Sequence, residues 1–327
     1  MKKLLLILLV LMLTVSACGG PASNDANGET DEPFKVAALI PGPINDGGWN
    51  ASCYAGLQMA EEVYGAEIAY SESVPVSDFE ELFRSYAQQG YDVIIGHGFE
   101  FGDAAALVAL EYPETFFLIT DGNTIESPNV VSFSVLAKEA GFLGGAVTSI
   151  LTETGTVGII GGLSIPPITA SVEGFEQGAH HANPDVRVLS TLTGSFGDVV
   201  QAAEMAEAFV TEGADILMHS ANESGLAVIE TAQNQGILAI GMVGDQQDIA
   251  PDTIVVSARR DVPAGINYMI GLVKSGEIET RFYPLGVAED VVSLIWNDAL
   301  AQQHVSEEQL AAINSVVDQL RAGDVEL

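Results

Sequence analysis

The chain has few positive charges. Only 11 lysines and arginines stand against 45 aspartates and glutamates among its 327 residues, and the formal net charge at pH 7 is −34. A surface of this sign repels the phosphates of nucleic acids and disfavours polyanionic ligands. The composition therefore excludes a nucleic-acid partner and suits a neutral or cationic solute.

Cysteine is equally scarce, with only Cys18 and Cys53 present. The chain lacks the CxxC and mixed cysteine–histidine spacings of metal sites, so we expect no disulfide framework and no metal. Cys53 falls just inside a helix-like segment, where a packed, small apolar side chain is the expected role.

Motifs of catalysis are missing as well. The sequence contains no GxSxG, no GxxxxGK[ST] and no HExxH. The segment "GHGFEFGD" resembles a dinucleotide-binding loop, and Asp121 follows at about the expected distance. Its glycine spacing is GxGxxxG, however, and Phe99 would crowd a pyrophosphate. We predict no enzymatic activity and no cofactor, with a Rossmann-type surface oxidoreductase as the alternative.

Long apolar runs are confined to the N-terminus, where "MKK" precedes "LLLILLVLMLTV" and then "SACGG". A basic segment, a short apolar segment and small residues before a cysteine are typical of a bacterial lipoprotein signal. The sequence predicts a signal peptide over 1–17, acylation of Cys18 and a flexible polar tether over 18–33. We expect lipid anchoring on the extracytoplasmic face of the cell membrane. An ordinary secretory signal or a short membrane anchor is the alternative.

From residue 34 onward, short apolar runs alternate with stretches of helical period, which is typical of parallel sheets flanked by helices. Two segments of similar order, starting at Gly90 and Gly213, each contain a strand, a polar loop with histidine, a helix and a second strand. The chain is therefore predicted to be α/β, with two similar parallel-sheet lobes. Ligands of such sheets lie beyond the carboxyl ends of the strands, so the loops there are the candidate site.

Aromatic and charged residues in those loops are the candidates for ligand contact. Trp49 and Phe196 lie in glycine-bearing loops, one in each half, where two rings could enclose a flat ligand. Either ring could instead fill the core. Asp121 and Asp245 end equivalent strands, and their carboxylates could accept hydrogen bonds from a ligand or cap helices.

The scarce cations and the histidines at strand ends leave further alternatives. One of Arg259 and Arg260 is expected to reach the cleft, and the other to pair at the surface. His97 and His219 occupy equivalent strand ends. They either line the cleft or serve as satisfied polar neighbours of the loops.

These motifs together resemble a known family. "GPINDGGWN", "GGLSIPPITASVEGFEQGAHHANPD", "GSFGD" and "IGMVGDQQ" are similar in collinear order, from about residue 34 to 290, to basic membrane proteins related to purine nucleoside receptor A. The resemblance implies a type I periplasmic-binding-protein fold, with two doubly wound parallel-sheet lobes joined by three crossover strands. The lobes are predicted at 34–135 plus 257–285 and at 136–256 plus 286–327.

The resemblance also implies a function and a site. The implied ligand is a purine nucleoside or a purine base, and the implied partners are the permease and ATPase of an ABC importer; a lipoprotein that senses the ligand and signals through a membrane partner is the alternative. The sequence departs from the family in "DGGWN", "SANESG" and an arginine in place of lysine. The predicted ligand contacts are Asn45, Asp46, Trp49, Asn50, Phe99, Asp121, Phe196, Asn222, Glu223, Asp245 and Arg259.

Overall fold

The computed structural model describes residues 33–123 and 128–327. The predicted signal peptide, Cys18 and the tether up to residue 32 lie outside the described residues. The strands are β1 (Lys35–Leu39), β2 (Glu67–Ser71), β3 (Val93–His97), β4 (Phe116–Thr120), β5 (Val130–Val135), β6 (Thr156–Gly161), β7 (Arg187–Leu192), β8 (Ile216–Ser220), β9 (Leu238–Val243), β10 (Ile254–Arg260), β11 (Tyr283–Leu285) and β12 (Val292–Trp296).

Ten α-helices alternate with these strands in the described part of the chain. They are α1 (Trp49–Tyr64), α2 (Phe79–Gln88), α3 (Gly102–Ala109), α4 (Ala137–Leu151), α5 (Pro166–Ala182), α6 (Val199–Thr211), α7 (Glu223–Gln235), α8 (Val262–Ser275), α9 (Asp298–His304) and α10 (Glu307–Ala322). None of the helices described is long and apolar enough to cross a membrane.

The strands form two six-stranded sheets with equivalent strand orders. The first sheet runs β11-β5-β4-β3-β1-β2 and the second β12-β10-β9-β8-β6-β7. The described strand pairs are parallel except for the edge pair β10–β12, which is antiparallel. Central strands such as β3 and β8 are buried along their whole length, as expected where helices cover both faces of a sheet. The predicted α/β architecture of two doubly wound sheets is confirmed.

The chain passes from one sheet to the other three times. It leaves the first sheet after β5, returns after β10 and leaves again after β11. β10 pairs with β9 up to Arg259 and with β12 up to Arg260, so the strand that contains the predicted lobe boundary at 257 stays in the second sheet to its end.

Glycines bring α4 and α5 into direct backbone contact. A Cβ atom on Gly145 would lie 2.0 Å from the carbonyl oxygen of Phe175, and one on Gly174 would lie 2.1 Å from that of Lys138. No other residue type fits at this separation. Cys53 is buried in the core next to β1, as expected, and burial raises the pKa of its thiol.

Candidate ligand-binding site

A cavity of about 360 Å³ lies where the carboxyl ends of strands from both sheets meet. The loops after β1, β3 and β4 line it from the first sheet. The loops after β6, β7, β8 and β9, together with the end of β10, line it from the second. The lining residues include Pro41, Asp46, Trp49, Asn50, Phe99, Glu100, Asp121, Leu163, Ile165, Ile168, Phe196, His219, Asn222, Glu223, Met242, Gln246 and Arg260.

The loop after β1 is organised around the buried carboxylate of Asp46. Its Oδ1 accepts the backbone N–H groups of Gly48 and Ala51 at 3.0 Å, and its Oδ2 accepts both the backbone and the side-chain N–H of Asn50. The Asn50 Oδ1 in turn accepts the N–H of Gly42 at 3.2 Å. Asp46 therefore supplies acceptors for the first turn of α1, as a helix cap does, and its carboxylate is largely occupied before any ligand binds.

Trp49 begins α1 and lies between the cavity and His97. The imidazole of His97 stacks on the indole with centroids 4.1 Å apart and planes inclined by 20°. The His97 Nε2–H donates to the Trp49 carbonyl oxygen at 2.9 Å, which fixes the tautomer because a carbonyl can only accept. His97 is fully buried, and burial lowers its pKa to about 4, so it is neutral at pH 7. A neutral ring thus supports the indole from behind.

A buried ion pair lies beside the indole. The Arg260 Nη2 is 2.8 Å from both carboxylate oxygens of Asp121, and the two side chains are 5% and 4% exposed. Arg260 Nε donates to the Val135 carbonyl, while the hydroxyl of Ser134 donates to Asp121. The pair ties the end of β10, in the second sheet, to the ends of β4 and β5, in the first.

The guanidinium of this pair also reaches the indole and the cavity. Its central carbon lies 5.2 Å from the Trp49 ring centroid, within the range of a cation–π contact. The Arg260 Nη1 makes no hydrogen bond within the described part of the chain.

The second sheet contributes a more apolar wall. Phe196 lies against Gly162, where a Cβ atom would come within 2.5 Å of its ring. The loop from β6 to α5 adds leucine, isoleucine and proline side chains, and β9 adds Met242. A flat apolar ligand would find an aromatic ring on each side of the cavity.

One polar group in this wall is held in a fixed orientation. The Oε1 of Gln246 accepts the Met242 backbone N–H at 2.8 Å and the His219 Nε2–H at 3.0 Å. His219 is buried, and burial lowers its pKa to about 4. A Cβ atom on Gly225 would lie 2.0 Å from His219 Nδ1, so glycine is required there for the imidazole to fit.

Eight of the eleven predicted contacts line the cavity, and three do not. Asn45 is exposed on the loop after β1. Asp245 is turned outward and accepts from the backbone and side chain of Gln247. Arg259 pairs with Asp261 at 3.0 Å, because neighbouring residues of a strand point to opposite faces and Arg260 takes the inner one.

The sequence missed Gln246 and Glu100, and the resemblance selected Arg259 where the structure places Arg260 in the lining. Alternation along β10 could have separated the two arginines, because it places one of them on each face. Gln246 follows Asp245, and only the turn after β9 determines which of the two side chains reaches the cavity. In the described ranges, no three histidine, cysteine or carboxylate side chains are grouped to hold a metal ion.

Two mostly parallel sheets of equivalent order, joined by three crossings and sharing a cavity at their strand ends, define a solute-binding protein of the two-lobed α/β class. The chain belongs to the PnrA-like family of ABC transporter substrate-binding proteins, whose model matches residues 34–323. Membership implies a small-molecule ligand and a transporter as partner.

Named relatives agree with this placement. Basic membrane protein A2 of Borrelia garinii subsp. bavariensis is 30% identical over 315 residues, which cover 94% of this chain and 92% of the relative. The ABC transporter nucleoside-binding protein BmpA of Lactococcus lactis subsp. cremoris is 28% identical over 241 residues, covering 71% and 68%. A solute-binding protein of an ABC transporter system from Aeropyrum pernix K1 has the same fold, with a TM-score of 0.81 at 20% identity over 90% of this chain and 93% of that one.

Proposed function

We propose that this chain is the extracytoplasmic, lipid-anchored binding component of an ABC importer and that it binds a purine, as nucleoside or free base. The cavity between the sheets is the binding site. The observation that carries the proposal is the presence of Trp49 and Phe196, one from each sheet, in the same cavity. The Lactococcus relative described as nucleoside-binding supports the same ligand class.

The two rings favour a flat ligand. Stacking on an aromatic side chain contributes about 1–3 kcal/mol for each nucleobase, and a base enclosed on both faces gains twice. The Trp49 ring is backed by His97 at 4.1 Å, so it is already held as a wall before the ligand enters. Preorganisation of this kind reduces the entropy lost on binding.

The charges around the cavity favour a neutral ligand over a phosphorylated one. Arg260, the one arginine among the described lining residues, is already paired with Asp121. Glu100 and Glu223 line the same cavity and form no ion pair with any residue in the described ranges. A phosphate would meet these carboxylates, whereas the N–H groups of a base or the hydroxyls of a ribose could donate to them.

Location follows from the N-terminal sequence. The lipoprotein signal before Cys18 predicts export and acylation, and the polar stretch up to residue 33 gives the binding domain reach from the membrane. A binding protein held in this way meets its ligand outside the cell and delivers it to a permease in the same membrane.

A calorimetric panel tests the ligand class directly. Adenosine, inosine, guanosine, adenine and hypoxanthine are titrated into the protein, with AMP, GMP and glucose as matched comparisons. We expect saturable binding of at least one neutral purine and at least tenfold weaker binding of its phosphorylated form. A ligand that binds only the native state also raises the melting temperature, which gives an independent measurement. Preference for a nucleotide or for glucose would contradict the proposal.

A further inference from the structure

The side-chain amide of Gln246 has its oxygen identified by its neighbours. One of its two terminal atoms lies 2.8 Å from the Met242 backbone nitrogen, and a backbone N–H can only donate, so that atom is the oxygen. The same oxygen lies 3.0 Å from His219 Nε2, which must therefore carry a proton. A flipped amide would place its own NH₂ group against both of these donors. The orientation is thus fixed by two buried hydrogen bonds.

The NH₂ group of Gln246 is consequently turned toward the cavity. Gln246 lines the cavity, is only 3% exposed, and its Nε2 makes no hydrogen bond to any of the described residues. Its backbone is held by Ser257, whose hydroxyl accepts the Gln246 N–H at 3.1 Å. Close packing on Gly241, where a Cβ atom would lie 3.1 Å from that of Gln246, limits sideways movement. A rigid donor pair without an internal acceptor therefore faces the ligand space.

Other polar groups of the cavity differ from this one. The carboxylates of Asp46 and Asp121 already accept hydrogen bonds from protein groups, and Glu100 and Glu223 can only accept when ionised. Ser220 and Asn222 also carry neutral donors in the lining, but no hydrogen bond within the described ranges fixes their side chains, whereas the NH₂ group of Gln246 is held in place by the two bonds to its own oxygen. An unpaired donor in a desolvated site costs binding free energy unless the ligand supplies an acceptor.

We propose that Gln246 is a specificity-determining residue that donates a hydrogen bond to an acceptor atom of the bound base, with His219 as the residue that positions it. This inference rests on the proposed function and adds to it a requirement for a ring nitrogen or carbonyl oxygen at the Gln246 side of the cavity. A flat ligand of the same shape that lacks this acceptor should bind more weakly.

A cycle of protein and ligand changes tests this role. The protein change is Gln246→Glu, which keeps an acceptor oxygen for Met242 and His219 and removes the NH₂ group. The two N–H groups that the oxygen accepts favour the ionised carboxylate, so the variant is measured at high pH as a pure acceptor. The ligand changes are the 1-deaza, 3-deaza and 7-deaza forms of the tightest purine, each of which lacks one ring acceptor, together with its 6-deoxo form where that purine carries a 6-carbonyl.

We expect one of these analogues to bind the wild type about 10- to 100-fold more weakly than the parent purine. In Gln246→Glu the same analogue should lose less than about twofold relative to the parent, because the donor is gone. Gln303→Glu adds the same charge on the exposed face of α9 and should leave the wild-type pattern intact. The assignment would be overturned if each analogue lost the same affinity, relative to the parent purine, in the wild type and in Gln246→Glu. This holds provided that the melting temperatures of the two proteins lie within about 3 °C of each other.

A second measurement covers the case in which Gln246→Glu fails to fold. In ¹⁵N-labelled wild-type protein, the side-chain NH₂ signals of Gln246 are assigned through their contact with Met242. Added purine should shift one of the two protons downfield and slow its exchange with water. Unchanged signals at saturation would overturn the role of Gln246 while leaving purine binding intact, whereas absence of any purine binding would remove the proposed function itself.

Discussion

The two walls of the cavity differ in where their polar groups are used. In the first wall, formed by Asp46, Trp49, Asn50 and Asp121, the carboxylates and the amide bond to other protein groups. In the second wall, formed by Phe196, Asn222, Met242 and Gln246, aliphatic and aromatic surface surrounds two amides whose NH₂ groups make no hydrogen bond within the described ranges, and only that of Gln246 is fixed through its oxygen. The polar groups of the first wall hold the Trp49 ring in place, whereas the proposed role of the second wall is to distinguish between ligands of similar shape.

The two buried histidines of the described chain differ in the same way as the two walls. His97 ends β3 and His219 lies near the end of β8, the equivalent strand of the other sheet. Both are neutral and both donate through Nε2. His97 donates to the backbone of the residue that carries the indole, whereas His219 donates to the side chain that faces the ligand. The histidine at the equivalent strand position therefore supports an aromatic ring in the first sheet and a hydrogen-bonding side chain in the second.

The largest expected effect is the loss of unfolding free energy when the ion pair of the first wall is removed. Arg260→Met leaves the Asp121 carboxylate buried without its cation, and breaking such a pair costs about 3–5 kcal/mol of unfolding free energy. Arg259→Met is the matched control, because Arg259 is partly exposed and a surface pair contributes about 0–1 kcal/mol. Urea unfolding of both variants measures the difference. Similar losses for the two would show that the buried pair has no special role.

Much of this architecture could be predicted from the sequence, for reasons visible in particular elements. β3 and β8 are continuous apolar runs, and the loops that follow them carry glycine and polar residues, so strand positions and the cavity edge follow from pattern alone. An aromatic residue among glycines has no local neighbour to cover it, which is why the sequence predicts a cleft position for Trp49 and Phe196, and both line the cavity. The lobe boundary predicted between residues 256 and 257 falls inside β10, which continues to Arg260 without a break in composition.

The partners of the polar groups could not be predicted. Asp121 and Arg260 are 139 positions apart, and only the return of the chain after β10 brings them together. Asp46 is a predicted ligand contact, yet its oxygens accept N–H groups of its own loop. Local sequence tells which groups need partners. It does not tell which of them find partners within the protein and which are left for a ligand.

The next effect concerns the two rings. Trp49→Ala and Phe196→Ala should each weaken purine binding by about 1–3 kcal/mol, the cost of one lost stack, and Trp49→Phe should retain most of the affinity. Trp49→Ala should also lower the melting temperature of the unliganded protein, because it uncovers His97. Calorimetry and thermal melting separate the two effects. A Trp49→Ala protein that melts lower but binds purine with wild-type affinity would show that the indole is packing alone.

The smallest expected effect concerns pH and the two histidines. Both have pKa values lowered to about 4 by burial, and unfolding returns each to its ordinary value near 6.5. Between pH 6.5 and 4 the unfolded chain therefore binds more protons than the folded one, and stability rises with pH across this window. The contribution is complete above pH 6.5 and is lost as the pH falls toward 4.

Replacing each histidine with glutamine isolates this contribution from the many carboxylates. Glutamine keeps an N–H donor for the Trp49 carbonyl or for Gln246 but does not titrate, so His97→Gln and His219→Gln should each flatten the fall in unfolding free energy between pH 6.5 and 5 by about 1–1.5 kcal/mol. Charges facing His97 are Asp46, Asp121 and Arg260, whereas His219 has the neutral Gln246 as its partner. The two variants should show similar slopes for stability, but only His219→Gln should change the preference among deaza-purines, because His219 positions a hydrogen-bond donor of the cavity whereas His97 supports a stacking ring. If the unfolding free energy of both variants falls as steeply with decreasing pH as that of the wild type, neither histidine is held neutral by the fold.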